Sequence, residues 1–126
     1  MSIDCFLDRS YDPQKYNCLH FSREVWLALT DADIGAALAG LLGRVSERGI
    51  SKHTVNAFAR LASPVSPCIV LMQRPRTSPH MGVYLRGKVL HITQRGVEFL
   101  PVDLAMRGFK TVRYYALVAQ GTECKS

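Results

Sequence analysis

The chain has 126 residues, 48% of them hydrophobic and 21% charged, with a formal net charge of +6. That length suits one compact domain, taken as 1–126, and excludes a multidomain machine. Its longest apolar stretch, Ile34 to Gly43, falls far short of the roughly 20 residues a membrane span requires. The N-terminus carries Asp4 and Asp8 in place of the basic start and long apolar run of a secretory signal, so synthesis in the cytoplasm without a membrane span is expected.

The positive balance biases the surface towards anionic partners: nucleic acid, anionic lipid or an acidic wall polymer. Basic residues are scattered, without lysine runs or the aromatic-basic interleaving of an RNA-binding sheet, so no nucleic-acid partner is expected. Four dispersed cysteines, Cys5, Cys18, Cys68 and Cys124, form no Cys-x-x-Cys pair, which suggests neither a zinc ribbon nor a disulfide framework. No metal and no cofactor are expected.

The first fifteen residues are polar and irregular, with Tyr11-Asp12-Pro13 reading as a turn. Asn17 is placed to cap a helix over Cys18 to Leu29, in which Cys18, Phe21, Val25 and Leu29 recur on one face. Asp31 is the predicted N-cap of a second, very apolar helix carrying Ile34, Ala37, Leu38, Leu41 and Leu42, with Gly43 as its stop. A third amphipathic helix is predicted from Ser51 or Lys52 to Ala62, its stripe formed by Val55, Phe58, Ala59 and Leu61. Strand patterning follows at Cys68 to Gln73, Met81 to Leu85, Lys88 to Thr93, Val97 to Val102 and Thr111 to Val118. Helices first and strands second predict an α+β domain, with the helices packed on one face of a five-stranded, mainly antiparallel sheet.

A thiol in the first turn of a helix faces unpaired amides and the positive end of the macrodipole, which lowers its pKa. Cys18 occupies that place, and the helical spacing turns it towards the core. His20 lies about 200° further round the helix and is a rim residue rather than its partner. A better partner comes from the hairpin. If Arg86-Gly87 is a two-residue turn, Leu85 pairs with Lys88, and His80, Gly82, Tyr84, Val89, His91 and Thr93 share one face. His80 and His91 are then diagonal neighbours, and Gly82 leaves them room. Cys18, His80 and His91 so placed are the nucleophile, base and orienter of a thiol hydrolase.

Plainer readings exist for each residue. Cys18 can be a buried small hydrophobe, and Cys68 in its apolar strand simply packs. Cys5 and Cys124 either pair across the termini or remain free thiols. Arg74 and Arg76 flank the loop before His80 and either fork onto a substrate carboxylate or belong to a solvated loop. Trp26 and Phe58 read as core, and His53 has no evident partner. The spacing of Cys18, His20, His80 and His91 matches no usual zinc motif.

Tyr16-Asn-Cys18-Leu-His-Phe21 resembles the Asp-Cys-Ser-Gly-Phe segment of NlpC-type cell-wall peptidases, a papain-like group. Pro67-Cys-Ile-Val-Leu-Met72 is similar to that group's first core strand, and His80-Met-Gly-Val-Tyr84 to its His-Val-Gly-Ile-Tyr segment. His91 matches the third polar residue, and Thr111-Val-Arg-Tyr-Tyr115 resembles the last strand. The ordered set spans residues 11 to 118. Two departures stand out: Leu19 and His20 replace the small pair after the cysteine, and the upstream Tyr-x-Trp-Gly-Gly segment is missing, leaving Tyr11 and Tyr16.

The resemblance implies a papain-like NlpC-type fold and a cysteine peptidase or amidase acting on peptidoglycan stem peptides. Cys18, His80 and His91 would be catalytic and Tyr11 and Tyr16 would contact substrate, to which the position of Arg76 in the loop before His80 adds a further expected substrate contact. Without a signal peptide or wall-binding module, it looks more like members carried by phage or prophage tails, so virion association, contacts with other tail proteins and delivery to the bacterial envelope are expected; secretion-system effectors are a second route. The alternatives are a non-catalytic tail or assembly component that keeps the fold, and an acyl-transfer enzyme for another amide or ester.

Overall fold

Six antiparallel strands form one sheet in the order β1-β6-β2-β3-β4-β5, in a computed structural model that describes residues 3–47, 58–77 and 79–117. The strands are β1 (Phe58–Leu61), β2 (Cys68–Gln73), β3 (His80–Leu85), β4 (Lys88–Thr93), β5 (Gly96–Pro101) and β6 (Thr111–Leu117). Among the described residues a 3-10 turn (Asp4–Phe6) and two α-helices, α1 (Cys18–Thr30) and α2 (Gly35–Glu47), precede them, and a single turn, α3 (Val102–Ala105), follows β5. The α+β class stands, with six strands where five were expected.

α1 starts at Cys18 because Asn17 is extended and its side-chain oxygen accepts from the amides of Leu19 and His20, at 3.0 and 3.4 Å. In return His20 Nδ1 accepts from the Asn17 amide at 3.0 Å, completing a capping box. Asp31 closes this helix instead of opening the next. Its backbone is left-handed, φ 64°, and its amide returns to the Leu27 carbonyl. Asp33 serves α2 instead: its carboxylate accepts from the Gly35 amide at 3.0 Å and is gripped by Arg23 through two bonds of 2.7 Å. α2 also runs past Gly43, because an interior glycine costs only about 1 kcal/mol against alanine. The buried Ile34, Leu38 and Leu41 outweigh that.

β2 and β4 have the predicted bounds, β3 starts one residue earlier, and β5 is shifted by one. β6 starts as predicted and is described to Leu117, with Val118 outside the described residues. The predicted third helix is corrected: its last residues, Phe58–Leu61, form β1, paired with β6 from Phe58↔Leu117 to Leu61↔Tyr114. Residues 51–57 of that prediction, His53 among them, lie outside the described residues. Arg86 and Gly87 form the two-residue turn with φ 52° and 84°, giving Leu85↔Lys88 as expected.

α1 lies against β3 and β4. Its Phe21, Val25 and Trp26 share a buried cluster with Met81, Val83, Leu90 and Ile92. The opposite face is covered as well, which corrects the expectation of helices on one face only. There, Ala105 of α3 is buried with Val70, Met72 and Val89, and Val102 and Phe109 pack against them. No helix among the described residues is long and apolar enough to cross a membrane.

Candidate functional site

His80 opens β3 and His91 sits on β4, on the face covered by α3 and Phe109. The parity of the Arg86-Gly87 turn brings them together, and His80 Nε2 stands 2.7 Å from His91 Nδ1. Gly82 makes the approach possible. A Cβ there would lie 2.9 Å from Val89 Cγ1 and 3.0 Å from His91 Cβ. Phe109 stacks on the His80 ring, with centroids 5.9 Å apart and planes 5° from parallel. The Arg74 guanidinium lies 4.3 Å from the centre of the Phe109 ring, and its Nε donates to the Gly108 carbonyl at 3.2 Å.

His91 is buried, 3% exposed, and its Nε2 lies 3.4 Å from Glu98 Oε1. That separation is in ion-pair range but off the line of a hydrogen bond, so the nitrogen is buried without a formed bond. His91 and Glu98 are directly opposed in the β4–β5 ladder. Burial pushes His80 down to about 4, with the neighbouring His91 and Arg74 acting in the same direction. Burial also lowers His91, against the pull of Glu98. Both rings are neutral at neutral pH.

Cys18 packs with the cluster on the α1 face. The β3–β4 ladder ends at Val83↔Leu90, short of Met81, and the Met81 amide turns to the Cys18 sulfur. The amides of Cys18 and Leu19 act there too, all favouring thiolate, yet burial outweighs them and pushes the thiol up. The expected low-pKa cysteine is therefore corrected: desolvation overcomes the helix start. Among the described residues Cys18 has no hydrogen bond to His80 or His91, so the three do not form a connected triad.

A cleft of about 680 Å3 opens on the histidine face, with Tyr11, Arg74, His80, His91, Glu98 and Arg107 in its wall. Tyr11 is thus brought to the histidines. Tyr16 is not: its hydroxyl donates to Glu24, which Arg9 holds at 2.6 Å, and its ring meets Phe21 and His20. Arg76 is exposed in the loop at φ 65° and does not line the cleft, whereas Arg74 does. His20 is the capping partner of Asn17. Cys68 is buried, Cys5 is exposed, and Cys124 lies outside the described residues.

Sequence reasoning missed Glu98 and Phe109. Glu98 had a signal: a two-residue turn at Gln94-Arg95 pairs Thr93 with Gly96 and therefore His91 with Glu98. Phe109 had none, because it reaches His80 through an irregular segment after α3.

In comparisons with protein families, curated proteins and solved structures, nothing matches the chain.

Proposed function

We propose that the protein is a thiol hydrolase that cuts amide bonds in peptidoglycan stem peptides and reaches the envelope with a phage or prophage tail. The observation that carries the chemistry is the His80–His91 contact of 2.7 Å on the strand whose next amide, that of Met81, meets the Cys18 thiol. The substrate class and the route of delivery rest on the ordered resemblance of the segments around Cys18, Cys68, His80, His91 and Thr111. The arginines of the cleft suit an acidic peptide.

In this reading Cys18 Sγ attacks the carbonyl carbon while its proton passes to the free Nδ1 of His80. The proton then goes to the departing amine, and water releases the acyl group, restoring the thiol. A raised thiol and a depressed imidazole both rest neutral. Proton transfer is then coupled to attack, with His80 closing on the sulfur when substrate is bound. The Cys18 amide at the helix start is available to the developing oxyanion.

The test is mass spectrometry of purified sacculi incubated with the wild type and with Cys18→Ala. New peptide fragments from the wild type alone are expected, and walls left intact by both proteins overturn the reading. A second reading, a non-catalytic tail or assembly component, is favoured by the missing bond between Cys18 and His80. It predicts intact walls, a Cys18 no faster in alkylation than buried Cys68, and a stable complex with a neighbouring tail protein.

A further inference from the structure

We infer that Glu98 is a positioning residue that fixes the tautomers of both histidines and so leaves His80 Nδ1 as the bare, proton-accepting nitrogen. The inference concerns the same site and gains its catalytic meaning from the hydrolase reading. It starts from a buried nitrogen. His91 Nε2 is enclosed, lacks a formed hydrogen bond, and has the Glu98 carboxylate 3.4 Å away. Nothing else among the described residues accepts from it. Arg95, which also approaches Glu98 at 3.7 Å, is 86% exposed and leaves the carboxylate free to turn inward.

Two proton arrangements satisfy the 2.7 Å contact between the rings. In one, His91 Nδ1–H donates to His80 Nε2, which leaves a bare His91 Nε2 facing a carboxylate, lone pair against lone pair in a buried place. In the other, His91 Nε2–H points to Glu98, His91 Nδ1 is bare, and His80 Nε2–H donates to it. The carboxylate selects the second. A doubly protonated His91 would serve both contacts, but its burial disfavours the charge. The consequence lies one ring further on: with its proton held on Nε2, His80 has its lone pair on Nδ1, which makes no hydrogen bond among the described residues. That is the protonation state a general base needs, set through two rings by a carboxylate that has no hydrogen bond to the thiol among the described residues.

The experiment is long-range proton–nitrogen correlation NMR of the imidazoles, at neutral pH, on the 15N-labelled full chain. In the wild type both rings are expected to carry the proton on Nε2. Glu98→Gln, whose amide oxygen still accepts, is expected to keep that pattern. Glu98→Leu is expected to lose the single tautomer at His91 and, with it, at His80. A wild-type His91 protonated on Nδ1 overturns the inference, as does a folded Glu98→Leu with the wild-type pattern. If Glu98→Leu does not fold, the wild type and Glu98→Gln still decide. The outcome is independent of wall cleavage: expected tautomers with intact sacculi leave Glu98's role standing and remove the hydrolase reading, whereas other tautomers with cleaved sacculi do the reverse.

Discussion

Gly82→Ala probes the closest packing in the site. The added Cβ would stand 2.9 Å from Val89 Cγ1, 3.0 Å from His91 Cβ and 3.1 Å from the Leu90 carbonyl oxygen, where ordinary contact begins at 3.4 Å. Relief therefore requires β4 to withdraw by as much as half an ångström (3.4 − 2.9 Å). None of the three atoms ends a flexible side chain: one is backbone, one is a Cβ, and Val89 is fully buried and β-branched. Overpacking of this kind costs about 1–3 kcal/mol. The lower entropy of alanine in the unfolded chain offsets about 0.4–1 kcal/mol. The net loss of about 1–2 kcal/mol corresponds to a fall in Tm of roughly 4–8 °C for a chain of this size. Thermal melts followed by circular dichroism measure it. Gly87→Asn is the control, because that turn has nothing within 4 Å and asparagine tolerates its φ of +84°. An unchanged or raised melting point in Gly82→Ala would refute the close approach, and with it the account of why His80 and His91 meet.

Acid should weaken the fold through His80. The unfolded ring takes up a proton near its ordinary 6.5, while the folded ring holds out to about 4, so stability falls as pH drops through that window. The loss amounts to at most about 3 kcal/mol, and urea midpoints that do not move between neutral pH and the bottom of the window would contradict it. Phe109→Ala uncovers the stacked face of His80 and should raise its pKa from about 4 towards the ordinary value; an NMR titration that does not move assigns the depression to other neighbours. Asn17→Ala removes the cap of α1 and is expected to cost about 1 kcal/mol in chemical denaturation, with Asn17→Asp retaining most of it.

The strands were legible because turn chemistry and length agree along the second half of the chain. Arg86-Gly87 fixes the hairpin, the hairpin fixes parity, and parity alone puts His80 and His91 on one face. The same reasoning extended to Gln94-Arg95 reaches Glu98. β1 was not legible: Phe58, Ala59 and Leu61 fit a helical stripe as well as a short strand, and only pairing with β6, some fifty residues later, decides between them. Asp31 reads equally as a helix start or a left-handed stop, and the intervening Asp33 carries the cap. The state of Cys18 was beyond periodicity, because spacing places the thiol at a helix start and says nothing of how far the surrounding core desolvates it. His20 could have been read as a cap partner from Asn17-x-x-His20, a variant of the usual capping pattern.

The strand order also governs how the chain comes together. β2 to β5 form an unbroken meander in which each strand meets its successor across a short connection, so the histidine pair can assemble from local closures alone. β1 precedes them in sequence, yet among the described residues its ladder pairing is with β6 alone, which slots between β1 and β2. The first strand therefore waits for the last. The half of the sheet that holds His80, His91 and Glu98 can form before the far edge is sealed, and damage to β6 should detach β1 while sparing the ladder beneath the imidazoles.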